Sequence, residues 1–377
     1  MIPLSVPNLG GNEWKYVKDC LDTNWVSSVG EYVNRMEDIS ASFSGVEKAT
    51  ATANGTSALH ISLLLAGVER GDLVVLPNIT FVAPANVIKY MGADAVLVDV
   101  YEDTWELDVD LLKRFFENEC EIRREACYHR TTGRKISAII PVHVLGNMVD
   151  LEKLLPLAEK YHIPVIEDAT ESLGSTYKDK PAGSFGLFGC LSYNGNKIIT
   201  TGGGGMILTN DTVLAKKAKH LTTQAKVDGI EYYHDEIGYN YRMVNILAAM
   251  GVAQMEQLPG FIERKREISK QYNEGLKSVS GFKPQTVTNH VRSNCWLYTA
   301  IFERPKELLK YLEEYGIQTR PFWVPMNQLP AFKADIYYNE NNVSAKVYNN
   351  CLSLPCSTNL SDEEVTEVIN KIKQFYA

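Results

Sequence analysis

Short runs of branched apolar residues recur along the first half of the chain, at 73–76, 95–100, 136–143 and 163–167. None alternates between apolar and polar residues, which suits strands buried on both faces. Stretches with helical spacing lie between them, at 83–91, 109–116 and 151–161, and another at 58–66 precedes the first run. Strands separated by helices predict an α/β fold, a mostly parallel central sheet flanked by crossover helices. Such a sheet gathers ligands beyond the carboxyl ends of its strands, so residues at those ends are the first candidates for function.

The pattern changes after about Asn245. A helical run covers 246–258, and Pro259 opens a second one, 261–276, at a first-turn position that tolerates proline. A strand-like stretch at 296–302, a helix at 305–315 and a capping-box signature, Ser361 followed by Glu364, come after it. The expectation is a large α/β domain over 1–245 and a smaller C-terminal α+β domain over 246–377, which 377 residues can supply.

A net charge of -8 and a pI near 5.5 give no basic face of the kind that holds nucleic acid. The densest basic stretch, within 117–135, is interrupted by acids and by Thr131-Thr132-Gly133, and reads as a solvated excursion. Seven cysteines without a C-x-x-C pair fit reduced thiols. No metal-ligand spacing, export signal or membrane-length apolar run is visible. A cytoplasmic protein without metal, membrane or nucleic-acid partner is expected.

The fourth apolar run ends in Glu167-Asp168. About thirty residues on, Lys197 sits in Ser192-Tyr193-Asn194-Gly195-Asn196-Lys197, with Gly202 to Gly205 close behind. A strand-end carboxylate followed by a lysine in a turn of small polar residues is what pyridoxal phosphate chemistry requires. The lysine would hold the aldehyde as a Schiff base, and Asp168 would keep the ring nitrogen protonated so that the ring accepts electrons. Asp168 would equally serve as a cap on a following helix, and a surface position is the default for any lysine.

Other candidates join in chain order. Asn54-Gly55-Thr56-Ser57-Ala58 precedes a helix and offers amides and hydroxyls to a phosphate, or is a plain helix cap. Phe81 could stack on an aromatic ring or belong to the core. His143 ends the third run and fits a site position or a buried, hydrogen-bonded one. Glu171 faces the site or completes a capping box with Asp168. Ser192 can reach a phosphate, and the neighbouring glycines allow close backbone approach.

With Pro141-Val142-His143-Val144-Leu145-Gly146 and Gly238-Tyr239-Asn240-Tyr241-Arg242-Met243, these motifs make the chain resemble the DegT/StrS-type nucleotide-sugar aminotransferases, a fold-type-I pyridoxal phosphate family. The resemblance covers almost the whole chain. It implies that Lys197 anchors the cofactor and moves protons, and that Asp168 pairs with its ring nitrogen. Gly55, Thr56, Ser57 and Ser192 would hold the phosphate, and Phe81 would stack on the ring. Asn240 would reach the phosphate from the neighbouring subunit of a homodimer with shared active sites.

Glu171 stands where many relatives have glutamine. That departure is similar to the branch aminating C4 of UDP-2-acetamido-4-keto-6-deoxyglucose, with L-glutamate as donor. His143, Glu171 and Tyr193 then become substrate-side candidates. Arg320 becomes a candidate for the glutamate carboxylate, a structural ion pair being its other reading. The alternatives are another nucleotide keto sugar, such as GDP-4-keto-6-deoxymannose or a 3-keto sugar, and a non-catalytic cofactor-binding regulator. Intact Lys197, Asp168 and Ser192 argue against the regulator.

Overall fold

The computed structural model describes residues 1–228 and 230–377. Leu73–Pro77 is buried throughout and runs parallel to Asp94–Val98 on one side and Lys135–Ile139 on the other. Ile336–Tyr338 adds a further parallel strand outside Asp94–Val98. A second group runs in the order Lys48–Thr52, Gly205–Thr209, Phe188–Ser192, Ile166–Asp168. Its first two pairings are antiparallel and its last is parallel. Parallel bridges, Ile139 to Val165 and Val142 to Asp168, join the two groups into one mixed sheet with helices on its faces.

This register sets the site. Asp168 lies opposite Cys190, so Ile166–Asp168 and Phe188–Ser192 end side by side. Ser192 pairs with Gly205, and Gly205 pairs with Thr52, whose strand leads into the helix Gly55–Leu65. A Cβ on Gly205 would stand 2.4 Å from the Asn54 carbonyl carbon, and one on Gly55 would stand 2.9 Å from Ser192 Cβ. Only glycine at these two places lets the strand ends and the helix start converge.

One expectation fails. Pro259 does not separate two helices: Asn245–Leu276 is continuous with the proline inside it. Its first half packs on Glu13–Asp22 and Glu31–Ser44 and its second on Asp362–Tyr376. Tertiary packing at both ends outweighs the hydrogen bond proline cannot donate. The basic excursion is solvated as expected, with Arg123, Arg124 and Arg130 exposed, and it is also ordered. Cys120–Arg123 and Ala126–His129 form a hairpin that extends the sheet edge antiparallel to Lys135–Ile139, with Cys120 and Cys127 buried.

Two hydrophobic cores draw on both halves of the chain. Ile2 packs in the smaller core with Ile268, Tyr272 and Leu312, while Phe322, Phe332 and Val347 return to the larger one. The smaller unit has its own antiparallel sheet, ordered Lys283–Pro284, Thr299–Ile301, Cys351–Ser353, Arg320–Pro321. The capping box at Ser361 and Glu364 forms as expected.

Candidate active site

A cavity of about 420 Å³ opens where these strand ends, the helix start and the small sheet meet. Lys197 enters it from a tight turn closed by its own amide on the Asn194 carbonyl at 3.0 Å. Its Nζ sits 4.0 Å from the centre of the Trp296 ring and 3.6 Å from Glu171 Oε1, with the side chain only 12% exposed. This is no surface lysine. Trp296 is itself fixed: its Nε1 donates to the Asn196 carbonyl at 2.7 Å, and its own carbonyl accepts from the buried Lys265 at 2.7 Å.

Asp168 lines the same cavity and is almost fully buried. No helix follows it, so it is not a helix cap; Oδ1 accepts the Thr170 amide at 3.1 Å. Burial raises its carboxyl above the usual range, against the opposing pull of Thr170 and Lys197. A cation placed against it would restore the ionised form. Glu171 faces Lys197 and completes no capping box. Its Oε2 accepts the Leu145 amide at 2.8 Å, and burial pushes its carboxyl up to about 7 despite Lys197 beside it.

At the helix start, Asn54 caps by accepting the Ser57 amide at 2.8 Å. Gly55, Thr56 and Ser192 line the cavity; Ser57 is buried and is not among its lining residues. Phe81 lines the cavity and is 54% exposed, so it is not a core residue. Arg320 reaches the cavity from the small sheet. It donates to the Thr319 carbonyl at 2.9 Å and forms no ion pair among the described residues, so the structural-pair alternative falls.

Two substrate-side candidates do not belong to the cavity. Tyr193 is buried with its hydroxyl 3.1 Å from Ser40. Successive residues point to opposite faces, so Ser192 in the cavity sends Tyr193 away from it. His143 is buried behind Asp168, with Nε2 3.0 Å from Glu167 Oε2. Asn240 lies outside this chain's cavity, exposed, with Oδ1 accepting from Arg242. Elsewhere, His220, Asp235 and Glu236 bring ligand atoms within 4.8 Å of one another on the surface, where Lys217 already pairs with Glu236.

The chain matches the DegT/DnrJ/EryC1/StrS aminotransferase family over residues 7–373. It belongs to that family. The GDP-perosamine synthase of Escherichia coli O157:H7 is 37% identical over 377 residues, covering 100% of this chain and 99% of the relative. That of Vibrio cholerae is 34% identical over 381 residues, covering 100% and 99%. The crystal structure of a DegT/DnrJ/EryC1/StrS aminotransferase from Brucella abortus superposes with a TM-score of 0.88 at 28% identity, over 97% of this chain and 95% of that one. The protein is a pyridoxal phosphate-dependent sugar aminotransferase with the α/β fold of that family.

The residues present fit the family's cofactor. Helix amides with Thr56 and Ser192 suit a phosphate, the free face of Phe81 suits a ring, and buried Asp168 suits a pyridinium. Trp296 and Thr80 are among the lining residues that escaped the sequence reading. Trp296, met there only as the start of a strand-like stretch, lies far from Lys197 in sequence and only the fold brings them together. Thr80 lines the cavity, and its buried Oγ1 has no hydrogen-bond partner among the described residues, which sequence gives no signal for.

Proposed function

We propose that the protein moves an amino group from L-glutamate to C4 of a nucleotide-linked 4-keto-6-deoxy sugar. The observation that carries this reading is the placement of Lys197 Nζ between Glu171 and Trp296, in a cavity it shares with Asp168 and an unpaired Arg320. When bound, pyridoxal phosphate supplies the aldehyde that engages an amine and the ring that accepts the electrons of a broken C–H bond.

Lys197 removes the glutamate Cα proton and later returns a proton to the sugar carbon. Asp168 holds the ring nitrogen protonated. Gly55, Thr56 and Ser192 orient the phosphate, and Phe81 covers the ring. Arg320 takes a glutamate carboxylate in its planar fork. The exposed Asn240 and the apolar surface of Val227, Ile230, Tyr232 and Ile237 support a homodimer in which Asn240 serves the neighbouring site. Among the described residues, no helix is long and apolar enough to cross a membrane.

Two nucleotides compete. The relatives named GDP-perosamine synthase favour a GDP-linked sugar such as GDP-4-keto-6-deoxymannose. Glu171, set against Lys197 and in the motif of the UDP-sugar branch, favours UDP-2-acetamido-4-keto-6-deoxyglucose as the second reading. Parallel assays with L-glutamate and each keto sugar, following 2-oxoglutarate release, separate them. Turnover with neither would sink the proposal.

A further inference from the structure

Behind Lys197 lies a pair of acids that the scheme above does not use. Glu171 Oε1 is 3.6 Å from Lys197 Nζ, and Oε2 is held by the Leu145 amide at 2.8 Å. Leu145 has a φ of 60°, a left-handed conformation that a bulky residue rarely takes. The adjacent Val144 amide donates at 3.0 Å to Glu106 Oε1. Glu106 is 1% exposed, and its Oε2 meets no hydrogen-bond partner among the described residues. Two carboxyl groups from separate parts of the chain thus hang on consecutive amides of one strained turn. Neither collects the donors that an ionised carboxylate buried this deeply requires.

The charged surroundings are few. Glu171 faces Lys197 and Asp168, and Glu106 faces Glu171. His143 stands behind Asp168 but is engaged with Glu167. Arg320 lines the same cavity from the small sheet. Like charges held together in a dry site do not both ionise.

We propose that Glu171 is the proton partner of Lys197, holding its ammonium whenever Nζ is not joined to the cofactor and receiving the Nζ proton when a free amine is needed, while Glu106 stays a neutral acid that anchors the turn. The inference rests on the reading of Lys197 as the amine that engages the cofactor. In the transfer an Nζ–H bond breaks and an O–H bond forms on Glu171 Oε1; the return step reverses both, and the site gains no net charge. Burial brings Glu171 up to about 7, near the pH at which the exchange must run, and pushes Glu106 well above the carboxylate range.

The test uses the cofactor-free chain. Lys197 is methylated with formaldehyde and cyanoborohydride across a pH series and quantified by peptide mass spectrometry. In Glu171→Gln the partner charge is gone, and the pH midpoint of Lys197 methylation falls by about one unit. In Glu106→Gln, which replaces one neutral group by another, the midpoint stays in place. An unchanged midpoint in Glu171→Gln overturns the proposal, as does an equal fall in Glu106→Gln.

Infrared spectra supply a readout that a merely structural role would not move. Glu171→Gln removes a protonated-carboxyl band that fades as pH rises through neutrality, and Glu106→Gln removes one that does not; retention of both bands counts against the pair. Should Glu171→Gln fail to fold, Glu171→Asp gives a smaller fall in the midpoint, and no fall overturns the inference. If pyridoxal phosphate produces no visible absorbance band on the unmodified protein, the functional reading fails while the methylation profile still decides the proton pair.

Discussion

Glu167 and Glu171 are both sealed from solvent, four residues apart, yet they titrate in opposite directions. Glu167 accepts from His143 at 3.0 Å and from the amides of Gly183, Phe185 and Gly186 at 3.0, 2.6 and 2.8 Å. Burial works to raise its carboxyl, but these four donors hold it below the usual range. Glu171 has one amide and a more distant ammonium, and burial wins. The first carboxylate is spent on structure. The second is left short of partners, and that shortage keeps it able to exchange a proton at neutral pH.

Four measurements put this contrast to the test. The largest effect belongs to the amine that Glu171 faces. Lys197→Ala should cut turnover by at least about a thousandfold in a 2-oxoglutarate release assay while the protein stays folded. Multiple-turnover activity near the original level would remove Lys197 from the chemistry.

Next, Glu167→Ala leaves three amides and His143 unpaired in a dry interior, and should cost about 3–5 kcal/mol in urea unfolding. A loss below about 1 kcal/mol would mean that the four donors do not matter as argued.

The third effect is a pH dependence. The folded-state value of Glu171 is raised, so its contribution to stability is fully present below the unfolded value of about 4.5 and is lost as pH rises through about 7. Glu171→Gln should therefore gain stability relative to the parent over that window, by up to roughly 3 kcal/mol. Glu167 has the opposite sign, its contribution present above the unfolded value and lost as pH falls through a lower one. Melting temperatures across the acid-to-neutral range check both; parallel curves for Glu171→Gln and the parent would erase the distinction.

The smallest effect is at the mouth of the cavity. Arg320→Ala should raise KM for L-glutamate about tenfold and leave the keto-sugar half-reaction alone. An unchanged KM would move the carboxylate contact elsewhere.

Much of this arrangement was legible in the sequence because it depends on local order. Runs such as 73–76 show two-sided burial directly, and Asp168, Ser192 and the start of the helix at Gly55 all fall where strands end. What stayed hidden depends on conformation or on distance. The turn of the edge hairpin puts Arg124 and Glu125 at φ values of 49° and 63°, positions where asparagine and glycine usually announce a turn. Tyr193 sits beside the lining Ser192 but points elsewhere, toward Ser40, a matter of one residue's phase. His143 ends the right strand region, yet Glu167 claims it. Trp296, Glu106 and the strand Ile336–Tyr338 arrive from far along the chain, and no local pattern shows where they land.

The helix Asn245–Leu276 has a mechanical consequence. It is rooted at one end in the larger core, through Ala248 and Val252, and at the other in the smaller core, through Ile268 and Tyr272. A rod anchored at both ends acts as a strut, so the small sheet that delivers Arg320 cannot swing freely about a joint at 245. At Pro259 one rung of the ladder is absent, yet Leu258, Phe261 and Ile262 on either side are buried in the larger core and brace the rod there.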